Sequence, residues 1–265
     1  MKNLNLRGGL SLALTCLCLL ALGCISTTGG EWIEFEAVGV GDEASREFST
    51  PLGYEVRLDE AHLRIGALYF NQSAPGNHAL ETSCVLPGIY SAQVRGGLWL
   101  DALSEERQRF AVKGSGTTEP SRAAEIWLSS GNVDIADDPT VVLEAAGEAF
   151  RGGVYWPFKA RLSIGLNRLE PPLNPALPGS NPICKQRIIT PIPIELDLKN
   201  RGTLVLKVAP SAWFRNIEFA ELSKAPGAAY YEFKDEAAGQ PDNALYAGMR
   251  ANLGPYHFSF EGPSE

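Results

Sequence analysis

The amino-acid sequence predicts a mainly β protein, an antiparallel β-sandwich with Greek-key-like connections and one or two short helices. Apolar and polar residues alternate with period two along much of the chain, and the apolar positions are rich in β-branched and aromatic residues. The 27 Gly and 18 Pro supply the turns that separate such segments. Short strands separated by turn signals favour a sandwich over a βαβ sheet.

The strand pattern appears first near the start of the soluble region and last near the chain end. The predicted strands are 32–39, 54–59, 62–70, 98–100, 125–128, 140–144, 154–164, 188–198, 203–208 and 256–260. Within 54–59, the alternation predicts that Tyr54, Val56 and Leu58 face inward. Arg151-Gly-Gly predicts a hairpin turn between 140–144 and 154–164.

Helical signals are few. The strongest predicts a helix over 243–252, with Asp242 as N-cap and Gly254 followed by Pro255 as the stop. Two further short helical segments are predicted, over 211–222 and over 102–109. We see no composition break that would divide residues 31–265, so the sequence predicts one β-rich domain there.

The first 23 residues predict a secretory signal peptide. Lys2 and Arg7 precede a 13-residue apolar run, 10–22. A membrane-spanning helix needs roughly 20 apolar residues, so this run has the length of a signal h-region.

The run ends Leu20-Ala-Leu-Gly-Cys24, which resembles the lipobox of bacterial lipoproteins, although Leu22 stands where a smaller residue is commoner. The resemblance implies cleavage before Cys24 and acylation of that cysteine, with residues 24–30 as a lipidated tether. Ile25, rather than Asp, after the cysteine implies sorting to the outer membrane. The expected location is therefore the cell envelope, with the membrane as a partner through the anchor.

Cleavage would remove Cys16 and Cys18 with the signal peptide, and lipidation would use Cys24, so two of the five cysteines remain, Cys84 and Cys184. In an oxidising compartment they predict one disulfide, which would close a loop of about 100 residues and stabilise the fold by roughly 4–5 kcal/mol. Metal ligation by these thiolates is the alternative, but neither cysteine has another Cys or a His at typical ligand spacing. A reactive thiol at Cys184 would have only Lys185 and Arg187 as its basic neighbourhood.

Charge argues against a nucleic-acid ligand. The formal net charge is −8, and loss of Lys2 and Arg7 with the signal leaves 21 basic against 31 acidic residues, or −10. A surface this acidic repels a phosphate backbone.

Catalytic motifs are missing from the sequence. It contains no Gly-x-Ser-x-Gly, His-Glu-x-x-His, Walker or Gly-x-Gly-x-x-Gly motif, and we interpret 114–116, Gly-Ser-Gly, as a loop tip. We therefore predict no catalytic residue, no resident metal site and no cofactor.

The histidines, one acidic run and four tryptophans are candidate binding residues. The three histidines, His62, His78 and His257, are predicted to be separate surface or half-buried residues, and the acidic run Asp134, Asp137 and Asp138 to be a solvated turn. Trp99, Trp127, Trp156 and Trp213 could stack on sugar rings if exposed, but we expect most of them in the core. Among the aromatic residues, Trp213 and Phe214 beside Arg215 are the candidates to examine.

Three functional hypotheses follow. The leading one is a lipid-anchored envelope lipoprotein that acts without catalysis as a binding or structural module for a protein or glycan through its loops. The alternatives are an exported metal-handling lipoprotein and a hydrolase of envelope polymers, which would need two carboxylates roughly 5–10 Å apart in a cleft.

Overall fold

A computed structural model of the chain describes residues 29–74, 88–129, 140–164, 186–235 and 239–263. Several predicted features lie outside these residues. They are Cys24, Cys84, Cys184, His78 and the run from Asp134 to Asp138.

The described residues form a mainly β structure, as predicted. In chain order the strands are β1 (Trp32–Val40), β2 (Glu47–Ser49), β3 (Glu55–Ile65), β4 (Ala67–Asn71), β5 (Tyr90–Val94), β6 (Leu98–Asp101), β7 (Gln108–Arg109), β8 (Gly114–Thr117), β9 (Ser121–Trp127), β10 (Leu143–Arg151), β11 (Val154–Leu162), β12 (Ile188–Leu196), β13 (Thr203–Val208), β14 (Ser223–Lys224), β15 (Tyr231–Phe233) and β16 (Tyr256–Glu261).

These strands make two sheets. The first has the order β12-β9-β4-β5-β8-β1-β13-β16, with β7 beside β1, and its terminal strands β12 and β16 approach each other. The second has the order β14-β15-β11-β10-β3-β2, with β6 beside β3. Most pairs are antiparallel, but β1 with β13 and β11 with β15 run parallel, so both sheets are mixed.

The inward side chains of both sheets form one hydrophobic core, which gives a β-sandwich-like arrangement. Tyr54, Val56 and Leu58 are buried, as the alternation predicts. In the middle of β11, the Phe158 ring packs against Phe214 and Phe219, with ring centroids 5.5 and 5.2 Å apart. Each such fully buried ring stabilises the fold by roughly 1.5–3 kcal/mol.

A glycine allows the chain to pass from one sheet to the other. β3 and β4 belong to different sheets and are separated only by Gly66. A Cβ at Gly66 would lie 2.5 Å from the carbonyl oxygen of Ser129, so a larger residue would push the two segments apart. The predicted strands 54–59 and 62–70 therefore become one long strand, a corner and a short strand.

The predicted hairpin between β10 and β11 is confirmed, with continuous pairing from Leu143 opposite Leu162 to Arg151 opposite Val154. Gly152 and Gly153 both adopt positive φ, as a tight two-residue turn requires. Arg151 ties the hairpin to the body through a 2.7 Å ion pair with Glu218.

The helix predictions are partly right. One helix among the described residues, α1 (Gln240–Met249), matches the predicted 243–252 but begins earlier, since Gly239 is its N-cap and Asp242 lies in its first turn. The Asp242 carboxylate instead accepts a 2.6 Å hydrogen bond from the backbone N–H of Lys234. This hydrogen bond joins the first turn of the helix to the residue that follows β15.

Two other helix predictions are wrong. The predicted helix 211–222 is replaced by two 3₁₀ helices, Pro210–Phe214 and Phe219–Glu221, whose apolar residues are drawn into the core. The predicted helix 102–109 ends in strand β7, because Gln108 and Arg109 pair with β1. Tertiary pairing overrides weak local helix propensity in both segments.

The Gly-Ser-Gly segment is also corrected, because it is strand β8 and not a loop tip. β8 lies between β1 and β5 and pairs with both. A Cβ at Gly114 would lie 2.1 Å from the Phe35 ring, so the missing side chain lets that ring pack beneath the strand. The glycines here permit close packing instead of a turn.

Candidate functional site

The outer face of the first sheet carries an open groove of about 240 Å³. Trp32 on β1 and Tyr90 on β5 line its two sides, with Tyr69 on β4 beside Tyr90. Its floor consists of small or polar residues, namely Ser91, Ala92, Gln93, Ser115, Gly116 and Thr117. Trp32 is 68% exposed and Tyr90 is 41% exposed, so large aromatic surfaces here face solvent.

Strand alternation accounts for the position of Trp32. Ile33 and Phe35 of β1 are buried in the core, so Trp32 and Glu34 point to the outer face. Across β8 the partner of Trp32 is Thr117, and the partner of Glu34 is Ser115. The outer side chains of β8 are short, which leaves the space above them open.

A β-bulge in β5 accounts for the position of Tyr90. Ala92 pairs with Phe70, but the next pair along joins Tyr90 to Asn71, so Ser91 has no opposite residue. Without the bulge, Tyr90 would alternate with Ser91 and point inward. Because of the bulge, Tyr90 lies on the outer face, where its ring centroid is 5.5 Å from that of Tyr69.

A buried carboxylate lies next to these aromatic side chains. Glu125 on β9 is opposite Tyr69 and fully buried. Its carboxylate accepts a 3.0 Å hydrogen bond from the indole N–H of Trp127 and a 2.9 Å bond from the amide of Asn71. The Trp127 ring in turn lies 4.8 Å from the Tyr69 ring, so Glu125 helps to position two rings of the aromatic cluster.

Burial also changes the acidity of two groups in this region. It raises the pKa of Glu125 above its ordinary value of 4.5, although the hydrogen bonds from Trp127 and Asn71 lower it. Burial, with the added effects of the Glu125 charge and of Tyr69, raises the pKa of Tyr90 to about 12. The Tyr90 hydroxyl therefore keeps its proton at neutral pH.

The predicted aromatic candidates lie in different environments. Trp156, Trp213 and Phe214 are buried, so the pair beside Arg215 offers no stacking surface. Trp99 lies on the outer face of the second sheet, where His62 stacks on its ring at 5.5 Å and the Arg64 guanidinium lies 5.0 Å from its centroid. Of the four predicted tryptophans, Trp127 alone belongs to the groove region.

Arg215 borders a second hollow, of about 580 Å³, between the turn after β2 and the 3₁₀ helix Pro210–Phe214. The hydroxyl groups of Thr50 and Ser211, which line this hollow, already have hydrogen-bond partners in the protein. Thr50 Oγ1 accepts a bond from the Tyr54 backbone N–H, and Ser211 Oγ accepts one from Ser45. This hollow is consequently a less favourable binding surface than the aromatic groove.

Sequence reasoning missed most of the groove. The sequence predicts Trp32 as the first residue of a strand. Tyr90, Gln93 and Ser115, in contrast, lie on strands that the sequence does not predict. Of the histidines, His257 is exposed on β16 and His62 is stacked on Trp99. Within the described ranges, no three His, Cys, Asp or Glu side chains are grouped so that they could hold a metal ion.

The fold and the groove together define a mainly β protein with an open aromatic surface on one sheet. Comparison of the chain with protein families, with curated proteins and with solved structures found no match. In the part of the chain that the structure describes, no helix has the length and apolar character needed to cross a bilayer.

Proposed function

We propose that this chain is an exported, lipid-anchored envelope protein that acts without catalysis as a binding module, with the aromatic groove as its binding surface. The observation that carries the proposal is the exposure of Trp32 and Tyr90 across an uncharged floor. Soluble proteins rarely expose grouped aromatic side chains, and such surfaces mark interaction sites. The sheet face, rather than the loops, is the surface that the structure favours.

The chemistry of the groove supports binding over catalysis. The described residues that line it are aromatic, amide, hydroxyl, Ala and Gly residues. General acid–base catalysis requires a group that exchanges its proton near neutral pH, and Tyr90 is held protonated. The hydrolase alternative would require two carboxylates in the cleft, which this lining does not supply.

The envelope location rests on the signal peptide and on the Leu20–Cys24 segment that resembles a lipobox. Stable anchoring takes two or more acyl chains, which a lipidated and N-acylated cysteine provides. Mass spectrometry of the protein expressed in a Gram-negative host tests this part directly. We expect a mature chain that begins at an acylated Cys24, and an unacylated start would contradict the anchor.

The binding role is tested with the mature chain carried in lipid nanodiscs and isolated envelope fragments of the producing cell. We expect the nanodiscs to sediment with the fragments, and the double variant Trp32→Ala/Tyr90→Ala to lose most of this binding. The matched control is Tyr155→Ala, since Tyr155 is a 57% exposed aromatic on the β10–β11 hairpin, outside the groove. If the double variant sediments like the unmodified protein, the groove is not the binding surface.

A further inference from the structure

The geometry of the groove points to its ligand, and we infer that it binds a neutral pyranose unit of a glycan between Trp32 and Tyr90. This inference rests on the proposed function, because it identifies the ligand class of the same surface. Trp32 and Tyr90 lie on β1 and β5, on either side of β8. Two strand spacings separate their backbones by about 10 Å.

That separation fits one ring of a ligand. A ring inserted between two aromatic side chains makes a van der Waals contact with each of them, which takes up about 7–8 Å in total. The cavity of about 240 Å³ is smaller than the roughly 300–1,000 Å³ of pockets for drug-sized molecules. It therefore suits one or two sugar units of a chain that continues beyond the open ends of the groove.

The polar groups of the floor match sugar hydroxyls. Gln93 and Ser115 lie opposite each other on β5 and β8, and both are half-buried. Neither side chain makes a hydrogen bond within the described part of the chain, so an amide and a hydroxyl remain ready to donate and to accept. Sugar hydroxyls need both kinds of partner, while the apolar face of the ring needs an aromatic surface.

Charge selects against acidic sugars. Every described residue that lines the groove is uncharged, and the nearest outward side chain of β1 is the exposed Glu34. The protein as a whole carries a net charge of −8. Among the described lining residues, a uronate or phosphate would find no cationic partner, and it would lie beside a carboxylate, so a neutral unit is favoured.

A protein ligand fits less well. Stable protein–protein interfaces bury about 800 Å² on each partner and have a continuous apolar centre. Apart from its aromatic sides, the groove is floored by residues that are small or polar. This composition is better matched to a ligand with many hydroxyls.

Isothermal titration of the full mature chain in detergent with neutral tetrasaccharides tests the inference. The probes are tetramers of β-1,4-linked glucose, N-acetylglucosamine and mannose and of α-1,4-linked glucose, with tetragalacturonate as the acidic comparison. Vesicles containing a digalactosyl lipid form a separate arm, which distinguishes a lipid headgroup from a free glycan. We expect at least one neutral probe to bind and the acidic one not to bind.

Substitutions of groove residues test whether the probes bind in the groove. We expect Trp32→Ala to weaken binding about tenfold or more, and Trp32→Phe to restore part of it, because a smaller ring still stacks. Gln93→Ala should weaken binding a few-fold through loss of hydrogen bonds, and Tyr155→Ala should leave it unchanged.

Two results would overturn the inference. One is that none of the neutral probes shows binding at probe concentrations up to about 10 mM. The other is that tetragalacturonate binds as well as the neutral probes. In either case, loss of envelope binding in the Trp32→Ala/Tyr90→Ala variant would still support the binding module, so the two proposals fail separately.

Discussion

The outer faces of the two sheets both carry tryptophan, but they use it differently. On the first sheet, Trp32 is 68% exposed and lies beside the short side chains of β8. On the second sheet, Trp99 is covered by His62 and Arg64 of the neighbouring strand β3. Arg64 lies directly opposite Trp99 in the register, so a long cationic side chain occupies the ring face. The comparison indicates that an outward tryptophan keeps an exposed ring where its cross-strand neighbours are small.

The largest expected effect is on the floor of the groove. In Gly116→Val, the added Cβ would lie 2.4 Å from the Cβ of Ala92 and 2.5 Å from the carbonyl oxygen of Ser91. Because backbone cannot move aside cheaply, we expect a loss of about 3 kcal/mol in the free energy of unfolding, measured by urea denaturation. Gly262→Val is the control, since nothing lies within 4 Å of its Cβ position. Equal midpoints for the two variants would show that β8 is not held tightly between its neighbours.

The next largest expected effect on the free energy of unfolding concerns Glu125, the buried carboxylate beside the aromatic cluster. Glu125→Ala leaves the Trp127 indole N–H and the Asn71 amide without their acceptor, and we expect it to destabilise the fold by about 2 kcal/mol. On the second sheet, the interaction that Glu144 makes with the described residues is an exposed 3.5 Å ion pair with Arg161. Glu144→Ala should therefore change the free energy of unfolding by less than about 0.5 kcal/mol. A similar cost for both variants would contradict the structural role of Glu125.

The raised pKa of Glu125 predicts a pH dependence. Because folding raises this pKa, the unfolded chain loses the proton first as the pH rises above 4.5. The contribution of Glu125 to stability is therefore greatest below that pH and declines until the folded-state pKa is passed. Glu125→Gln cannot titrate, so its stability relative to the unmodified protein should increase across this range in urea denaturation at several pH values. A constant difference would mean that folding leaves the acidity of Glu125 unchanged.

The smallest expected effect on stability comes from a variant that tests why the rings of Trp32 and Trp99 differ in exposure. Arg64→Ala removes the guanidinium from the face of Trp99, and the lost cation–π contact is worth about 0.5–1 kcal/mol. We expect a slightly lower stability and stronger quenching of Trp99 fluorescence by acrylamide, measured against an Arg64→Ala/Trp99→Phe variant. Glycan binding should be unaffected. A gain of glycan binding would show that ring exposure alone is sufficient.

The strands that the sequence predicted are those whose apolar residues alternate. β13 was predicted with its observed bounds, and β1, β11 and β16 within a few residues. β8 was missed because Gly-Ser-Gly-Thr has no apolar alternation, and it is a strand only because β1 and β5 pair with its two edges. β5 was missed because its bulge interrupts the pattern.

For the strands that alternate clearly, the sequence by itself determined which side chains enter the core, as for Tyr54, Val56 and Leu58. Burial of apolar surface with period two requires no knowledge of the partner strand. Its lipobox-like segment also predicts export and anchoring, which stay predictions. Only the tertiary structure decided which outward aromatic residues stay open. Trp32 lies on β1, whereas Tyr90 and Gln93 lie on β5, a strand far from β1 in sequence. The register that joins β1 and β5 through β8 exists only in the folded sheet. The contact of Arg64 with the Trp99 ring is likewise made between two strands, so a local sequence pattern does not predict it.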